Sequence, residues 1–140
     1  CPFRTAERAI ADLRRETPIV FLEIHAEATS EKQAVAWKFA GDVACVFGTH
    51  THVPTADARV LRGGTAYITD LGMTGAFDSI IGVRKEQVLN RFLFALPVRF
   101  QVADESPCLQ GMVVEVDTAT GKAVSVERIM EFVDGEGAMS

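Results

Sequence analysis

Apolar positions follow two rhythms along the chain. Helical spacing and unbroken runs dominate the earlier part, and alternation takes over near the end. Ala6, Ala9, Ile10 and Leu13 recur at i, i+3, i+4 and i+7, so one helix face collects them. The spacing predicts a helix over Thr5–Glu16, with Arg8, Asp12, Arg14 and Arg15 mostly off the stripe. Pro18 ends it, because a proline pushes the residue before it out of the helical region. Ile19–Ile24 is almost continuously apolar, the form of a strand covered on both faces in a parallel sheet. His25 follows at its C-terminal end. Ser30 and Gln33 have the spacing of a capping box, which predicts a helix from Glu31 to about Phe39, with Gly41 as its stop signal. A second buried strand, Val43–Phe47, runs into Gly48-Thr49-His50-Thr51-His52. Strand, helix and strand in this order make a βαβ unit with a right-handed crossover.

Beyond it, a short strand is expected over Ala66–Thr69, after the Gly63-Gly64 turn. Gly72, Gly75 and Gly82 punctuate an irregular stretch. Lys85–Leu96 reads as a helix whose apolar face holds Val88, Leu89, Phe92 and Leu96, closed by Pro97. Val98–Ala103, Gly111–Val116 and Val124–Met130 alternate or are rich in β-branched residues, and Asp117–Gly121 is a turn between the last two. The fold class is α/β: a βαβ unit followed by an antiparallel C-terminal tail, with no repeat, low-complexity tract or linker.

Composition narrows this picture. A chain of 140 residues that is 48% hydrophobic can bury a core, and 24% charged residues of mixed sign exclude the disordered class. The net charge of -5 argues against a broad electrostatic grip on nucleic acid or an anionic membrane. It leaves room for a small phosphate-bearing substrate, since metal ions supply positive charge locally. No apolar run approaches the roughly 18 residues of a membrane span. Cys1, Cys45 and Cys108 are odd in number and widely spaced, with no C-x-x-C pair. Cys45 lies in an apolar run and reads as a small core residue, and a reducing, cytoplasmic location is expected. The chain opens Cys1-Pro2-Phe3 and enters a helix and strand almost at once, so it is expected to start within a fold.

The chemistry centres on three histidines, all at strand ends, two of them in an H-x-H pair. In open α/β sheets ligands bind outside the C-terminal ends of the strands. In extended chain, residues i and i+2 point the same way, so His50 and His52 can converge on one metal or on two neighbours. If the two strands are neighbours, His25 lies within reach of the same cluster. Imidazole suits zinc, iron and manganese, and a site built for phosphate also needs carboxylate bridges. A lone histidine is more often a satisfied core residue; three at strand ends favour a metal site. Glu23 and Glu27 flank His25 and either orient a ligand histidine or reach solvent. Thr49 and Thr51 either donate to a phosphate oxygen or only satisfy the turn, and nothing in the spacing of Asp57 and Asp70 compels a ligand role. P-loop, G-x-G-x-x-G, G-x-S-x-G and H-E-x-x-H motifs are absent from the sequence.

Four stretches resemble signatures of the YmdB-type family, a branch of the calcineurin-like metallophosphoesterases. They are Ile24-His25-Ala26-Glu27-Ala28-Thr29-Ser30-Glu31-Lys32; Gly48-Thr49-His50-Thr51-His52-Val53-Pro54-Thr55-Ala56-Asp57; Gly64-Thr65-Ala66-Tyr67-Ile68-Thr69-Asp70 with Gly72-Met73-Thr74-Gly75; and Leu96-Pro97-Val98-Arg99-Phe100. The resemblance implies a β-sandwich flanked by helices around a dinuclear centre of Fe, Mn or Zn, divalent or mixed-valence. It implies phosphodiester hydrolysis, 2′,3′-cyclic nucleotides included, by a metal-bridging hydroxide. By motif, His25 and His50 would ligate one metal and His52 the other, with Glu27, Thr49 and Thr51 behind them or lining the substrate. The family pattern also needs an N-terminal Asp in a G-D-V strand, a bridging Glu in G-E-N and a general-acid His in G-N-H. None is present; Gly41-Asp42-Val43 has the letters of the first but lies between the histidine motifs. The expectation is therefore that residues 1–140 form the C-terminal part of one domain, inactive alone, whose partners are the N-terminal half and a phosphodiester, with homo-oligomerisation left open. The competing reading is a non-catalytic metal-binding or regulatory module.

Overall fold

The structure is a computed structural model and describes residues 1–133. Residues 134–140 of the expected domain lie outside the described residues. The chain opens with helix α1 (Pro2–Leu13), followed by strand β1 (Phe21–His25), helix α2 (Thr29–Lys38) and strand β2 (Cys45–Thr49). β1 and β2 are parallel neighbours, with Phe21 opposite Cys45 and His25 opposite Thr49. The βαβ unit read from the apolar runs is therefore present; β1 ends at His25 and β2 ends at Thr49, immediately before His50. Strands β3 (Arg59–Leu61) and β4 (Thr65–Ile68) complete the sheet: β4 runs parallel to β2, β3 antiparallel to β4, in the order β1-β2-β4-β3. Short β5 (Gly75–Ala76), helix α3 (Lys85–Phe94) and the long strands β6 (Pro107–Asp117) and β7 (Lys122–Phe132) follow. β5, β6 and β7 form a second, antiparallel sheet.

Helices α1 and α2 cover one face of the first sheet. Ile10 of α1 and Val35, Ala36 and Phe39 around α2 pack with Val46, Leu61 and Tyr67. On the opposite face Cys45 and Ala66 meet Ala123, with Phe47, Met112, Val114 and Val126 around them. The layers are thus helix, sheet, sheet: the partial sandwich expected of the fold class. Val46, Tyr67 and Ile68 are essentially fully buried, and side chains of this kind stabilise by about 1.5–3 kcal/mol each. Among the described residues no helix is long and apolar enough to cross a membrane.

Several expectations need correction. α1 begins earlier than Thr5, because Pro2 fits the first helical turn, where its missing N–H costs nothing. It ends at Leu13 instead of Glu16. The Ser30/Gln33 capping box does not form: α2 starts at Thr29, Ala28 is the N-cap, and no side chain caps it. Ser30 is already inside the first turn. β1 is not covered on both faces. It is the edge strand, the second sheet packs over β3 and β4, and Phe21 stays half exposed. Val98–Ala103 is not a strand; only Val102 forms an isolated bridge, to Val83. Gln101 is instead held at the start of α3, its N–H donating to Gln87 Oε1 and its carbonyl accepting from Arg84 N–H. The Asp117–Gly121 turn is present, with Asp117 Oδ1 accepting the Ala119 N–H and Gly121 at φ 71°.

Candidate functional site

The end of β2 is shaped by one close approach. A Cβ on Gly48 would lie 1.7 Å from the Thr69 carbonyl oxygen and 2.7 Å from Lys32 Cδ. Only glycine lets β4 and the Lys32 side chain press this closely on β2. The chain then turns through two strained residues: His50 has φ 102° and His52 has φ 67°. A non-glycine residue in such regions costs of order 1–3 kcal/mol and persists only where its surroundings hold it. The segment is not extended, so strand alternation does not set the direction of either ring.

His50 turns to His25. Their rings meet edge to face with centroids 4.8 Å apart, and His50 Nδ1 lies 3.0 Å from His25 Nε2. The neighbours decide where the protons sit. Thr49 Oγ1 donates its proton to Glu23 Oε1 at 2.7 Å, so towards His25 Nδ1, at 3.0 Å, it accepts. His25 therefore carries its proton on Nδ1 and presents a lone pair at Nε2. His50 Nε2–H donates to Glu27 Oε2 at 3.0 Å, so in the neutral ring the lone pair is on Nδ1. At 3.0 Å the two nitrogens need a cation between them, either a proton, with His50 then donating to His25 Nε2 beside Glu27, or a metal ion. His52 Nδ1–H donates to the Ile81 carbonyl at 3.0 Å, leaving its Nε2 free. In its neutral form each imidazole has one nitrogen tied to a protein oxygen and a lone pair on the other, the arrangement in which metal-binding histidines are held. This donor chemistry fits a transition metal. The set is partial, because among the described residues no group of three or more His, Cys, Asp or Glu is placed to hold an ion.

The remaining candidates resolve by position. Glu23, expected inside a buried strand, is exposed and acts on His25 through Thr49. Thr49 thus stands behind a histidine, while the Thr51 hydroxyl is engaged with Val53 N–H and C=O. Asp57 and Asp70 do not face the rings. Asp57 accepts from the hydroxyls of Thr55 and Thr69, and Thr69 in turn accepts from Tyr67. Burial works to raise the Asp57 carboxyl, but the Thr69 and Thr55 hydrogen bonds outweigh it and hold it below its usual range. Asp70 is buried against Lys32, Nζ to Oδ2 at 2.8 Å. Burial again opposes its ionisation, and hydrogen bonds from Lys32, Gly72 and Thr51 overcome it, so this carboxyl too is lowered. Lys32 was missed. Its signal was available: it stands at i-3 and i-4 from Val35 and Ala36, on the apolar face of α2.

Comparison with known proteins adds a second line. The model of the YmdB-like protein family matches residues 1–129. This chain belongs to that family. The YmdB-like chain is 51% identical over 129 residues to a 2′,3′-cyclic-nucleotide 2′-phosphodiesterase of Bacillus subtilis, covering 92% of this chain and 49% of that protein. It is 42% identical over 129 residues to a putative phosphatase/phosphodiesterase of Mycoplasma pneumoniae, covering 91% and 45%. A crystal structure described as a novel phosphatase of Mycoplasma pneumoniae superposes with a TM-score of 0.85 at 40% identity, covering 96% of this chain and 48% of that one. A hypothetical protein from Thermus thermophilus gives 0.85 at 39% identity, covering 94% and 51%. The fold of the YmdB-like chain is therefore that of part of these proteins. It spans about half the length of the curated relatives it matches.

Proposed function

We propose that this chain supplies imidazole ligands to a metal-dependent phosphodiesterase acting on 2′,3′-cyclic nucleotides or similar small phosphodiesters. The observation that carries it is the meeting of His25 Nε2 and His50 Nδ1 at 3.0 Å, with Thr49 and Glu27 engaging the opposite nitrogens. The names of the relatives support the substrate class. His25, His50 and His52 would hold two transition metals, Fe, Mn or Zn, which would supply charge neutralisation at the phosphoryl group and a more acidic water. Glu23 through Thr49, Glu27, and the Ile81 carbonyl keep the three rings in their binding tautomers. The bridging carboxylate and the general acid come from a further segment, which lies along the open edge of β1, where Phe21 and Glu23 are exposed. The relatives' greater length supports that partner.

Metal content and hydrolysis of 2′,3′-cyclic AMP, measured for this chain and for a version extended to the relatives' length, test the proposal. The extended protein should bind about two metals and turn over, and His25→Ala, His50→Ala and His52→Ala should each lose metal. Unchanged metal content in the His50→Ala and His52→Ala variants refutes the assignment. Metal binding without turnover in the extended protein favours the non-catalytic module instead.

A further inference from the structure

We propose that Lys32 and Asp70 are positioning residues: their buried ion pair clamps the Gly48–His52 turn in the strained conformation that aims His50 and His52. The inference rests on the metal reading above for its purpose, but not for its geometry.

Both members are sealed from solvent, Lys32 at 0% and Asp70 at 1% exposure. A buried ion pair is a poor source of stability, since well-packed apolar residues of similar shape are often as stable or more so. What this pair touches explains its presence better. Asp70 Oδ2 accepts from Lys32 Nζ at 2.8 Å and from the Thr51 backbone N–H at 3.1 Å, and Oδ1 accepts from Gly72 N–H at 2.9 Å. Thr51 is the residue between the two histidines of positive φ. On the other side of the turn, the Lys32 stem lies against Gly48, its Cδ 2.7 Å from where a Cβ would stand. The pair therefore grips the turn before His50 and after it. Lys32 also sits on α2, which begins four residues after His25, so one contact ties the end of β1 to the end of β2. Nothing local would keep His50 at φ 102°, and an outside clamp is what such strain requires.

The test removes the charges without leaving either one unpaired. In Lys32→Met/Asp70→Leu both groups become apolar with similar outlines, and in Lys32→Met/Asp70→Asn the second change is nearly isosteric. The second variant keeps the question open to refutation if the first does not fold. Thermal unfolding reports the fold. The intraresidue HN–Hα NOE of His50 and His52, strong only at positive φ, and hydrogen exchange at Thr51 N–H report the turn, both without metal. Cobalt(II) titration reports the site. The proposal expects cooperative melting at a lower midpoint, since the Thr51 and Gly72 N–H groups lose their acceptor, together with weakened NOEs, exchange at Thr51 faster by about tenfold or more, and cobalt affinity lower by about 10–100-fold, the usual effect of losing a group that orients ligands. A folded variant with unchanged NOEs and unchanged Thr51 exchange overturns it. If wild-type chain binds no cobalt and His50→Ala changes nothing, the metal reading fails, while the NOE and exchange data still decide the role of the pair.

Discussion

Gly48→Ala is the sharpest single perturbation this fold offers. The new methyl carbon would stand 1.7 Å from the Thr69 carbonyl oxygen, and ordinary contact begins near 3.4 Å, so a displacement of about 1.7 Å is required. The obstacle is backbone at the end of β4, not the tip of a flexible side chain, and the second obstacle, Lys32, is pinned by Asp70. Parting β2 from β4 also strains the Leu71 N–H to Gly48 carbonyl bond, now 3.0 Å. Overpacking costs about 1–3 kcal/mol and a lost hydrogen bond about 1 kcal/mol. The reduced freedom of the unfolded chain returns about 0.4–1 kcal/mol. The net loss is about 2–3 kcal/mol, and at about 3–4 °C per kcal/mol for a chain of this size the midpoint should fall by roughly 6–12 °C. Gly75→Ala is the matched control, because nothing lies within 4 Å of its Cβ position and its φ is not positive. Thermal melts followed by circular dichroism compare the two. If Gly48→Ala melts as close to wild type as Gly75→Ala does, the account of the β2–β4 approach is wrong.

Three further outcomes follow from the site and the core. Thr49→Val removes the acceptor that fixes the His25 tautomer, and cobalt affinity should drop about 10–100-fold with melting little changed; an unchanged titration sinks the role given to Thr49. Burial pushes the Cys45 thiol up to about 12, from an ordinary value of 9.0. At pH 8 a thiol reagent should label exposed Cys1 at once and Cys45 only on unfolding, as peptide mapping would show. Because unfolded Cys45 ionises first, the stability it confers should fade as pH rises from about 9 to about 12. Asp57 and Asp70 both have lowered folded values, so each contributes stability above its unfolded value, 3.8, and loses it as pH falls through its folded one. Urea midpoints between pH 2 and pH 6 should decline on the acid side, and less steeply in Asp57→Asn; equal slopes would contradict the Thr55 and Thr69 hydrogen bonds as the cause.

The readable parts of the fold were those with a strong local period. The stripe of Ala6, Ile10 and Leu13 and the run through Val43–Phe47 each predicted an element of the right type in the right place. Boundaries moved where a single residue decides them, as Pro2 does for α1. β3 was invisible because three residues carry no period. Val98–Ala103 shows the opposite failure: an apolar, β-branched segment whose hydrogen bonds were claimed by Arg84 and Gln87 at the start of α3 before any strand could pair with it. Propensity for strand is a statement about fitting a half-buried surface, and no such surface is offered there.

The site shows why identity was legible and geometry was not. The histidines were found because residue type and strand-end placement are local facts. Their arrangement was not, because the alternation argument holds only for extended backbone, and His50 and His52 both leave it. Local reasoning failed where the chain is strained, and such failures concentrate at functional sites, because strain is held by distant partners. Here the partners are Asp70 and Lys32, 20 and 18 residues from His50. The spacing of Asp70 compelled no role and Lys32 was not singled out, though it lies on the apolar face of α2; their pairing spans the turn that carries the two histidines. The same reasoning places His25: its proton is set by Glu23 through Thr49, a residue on the neighbouring strand brought opposite it by the β1–β2 register. Rings whose nitrogens meet at 3.0 Å across two strand ends cannot be held by one turn alone, so the surrounding sheet has to supply the constraints the turn lacks.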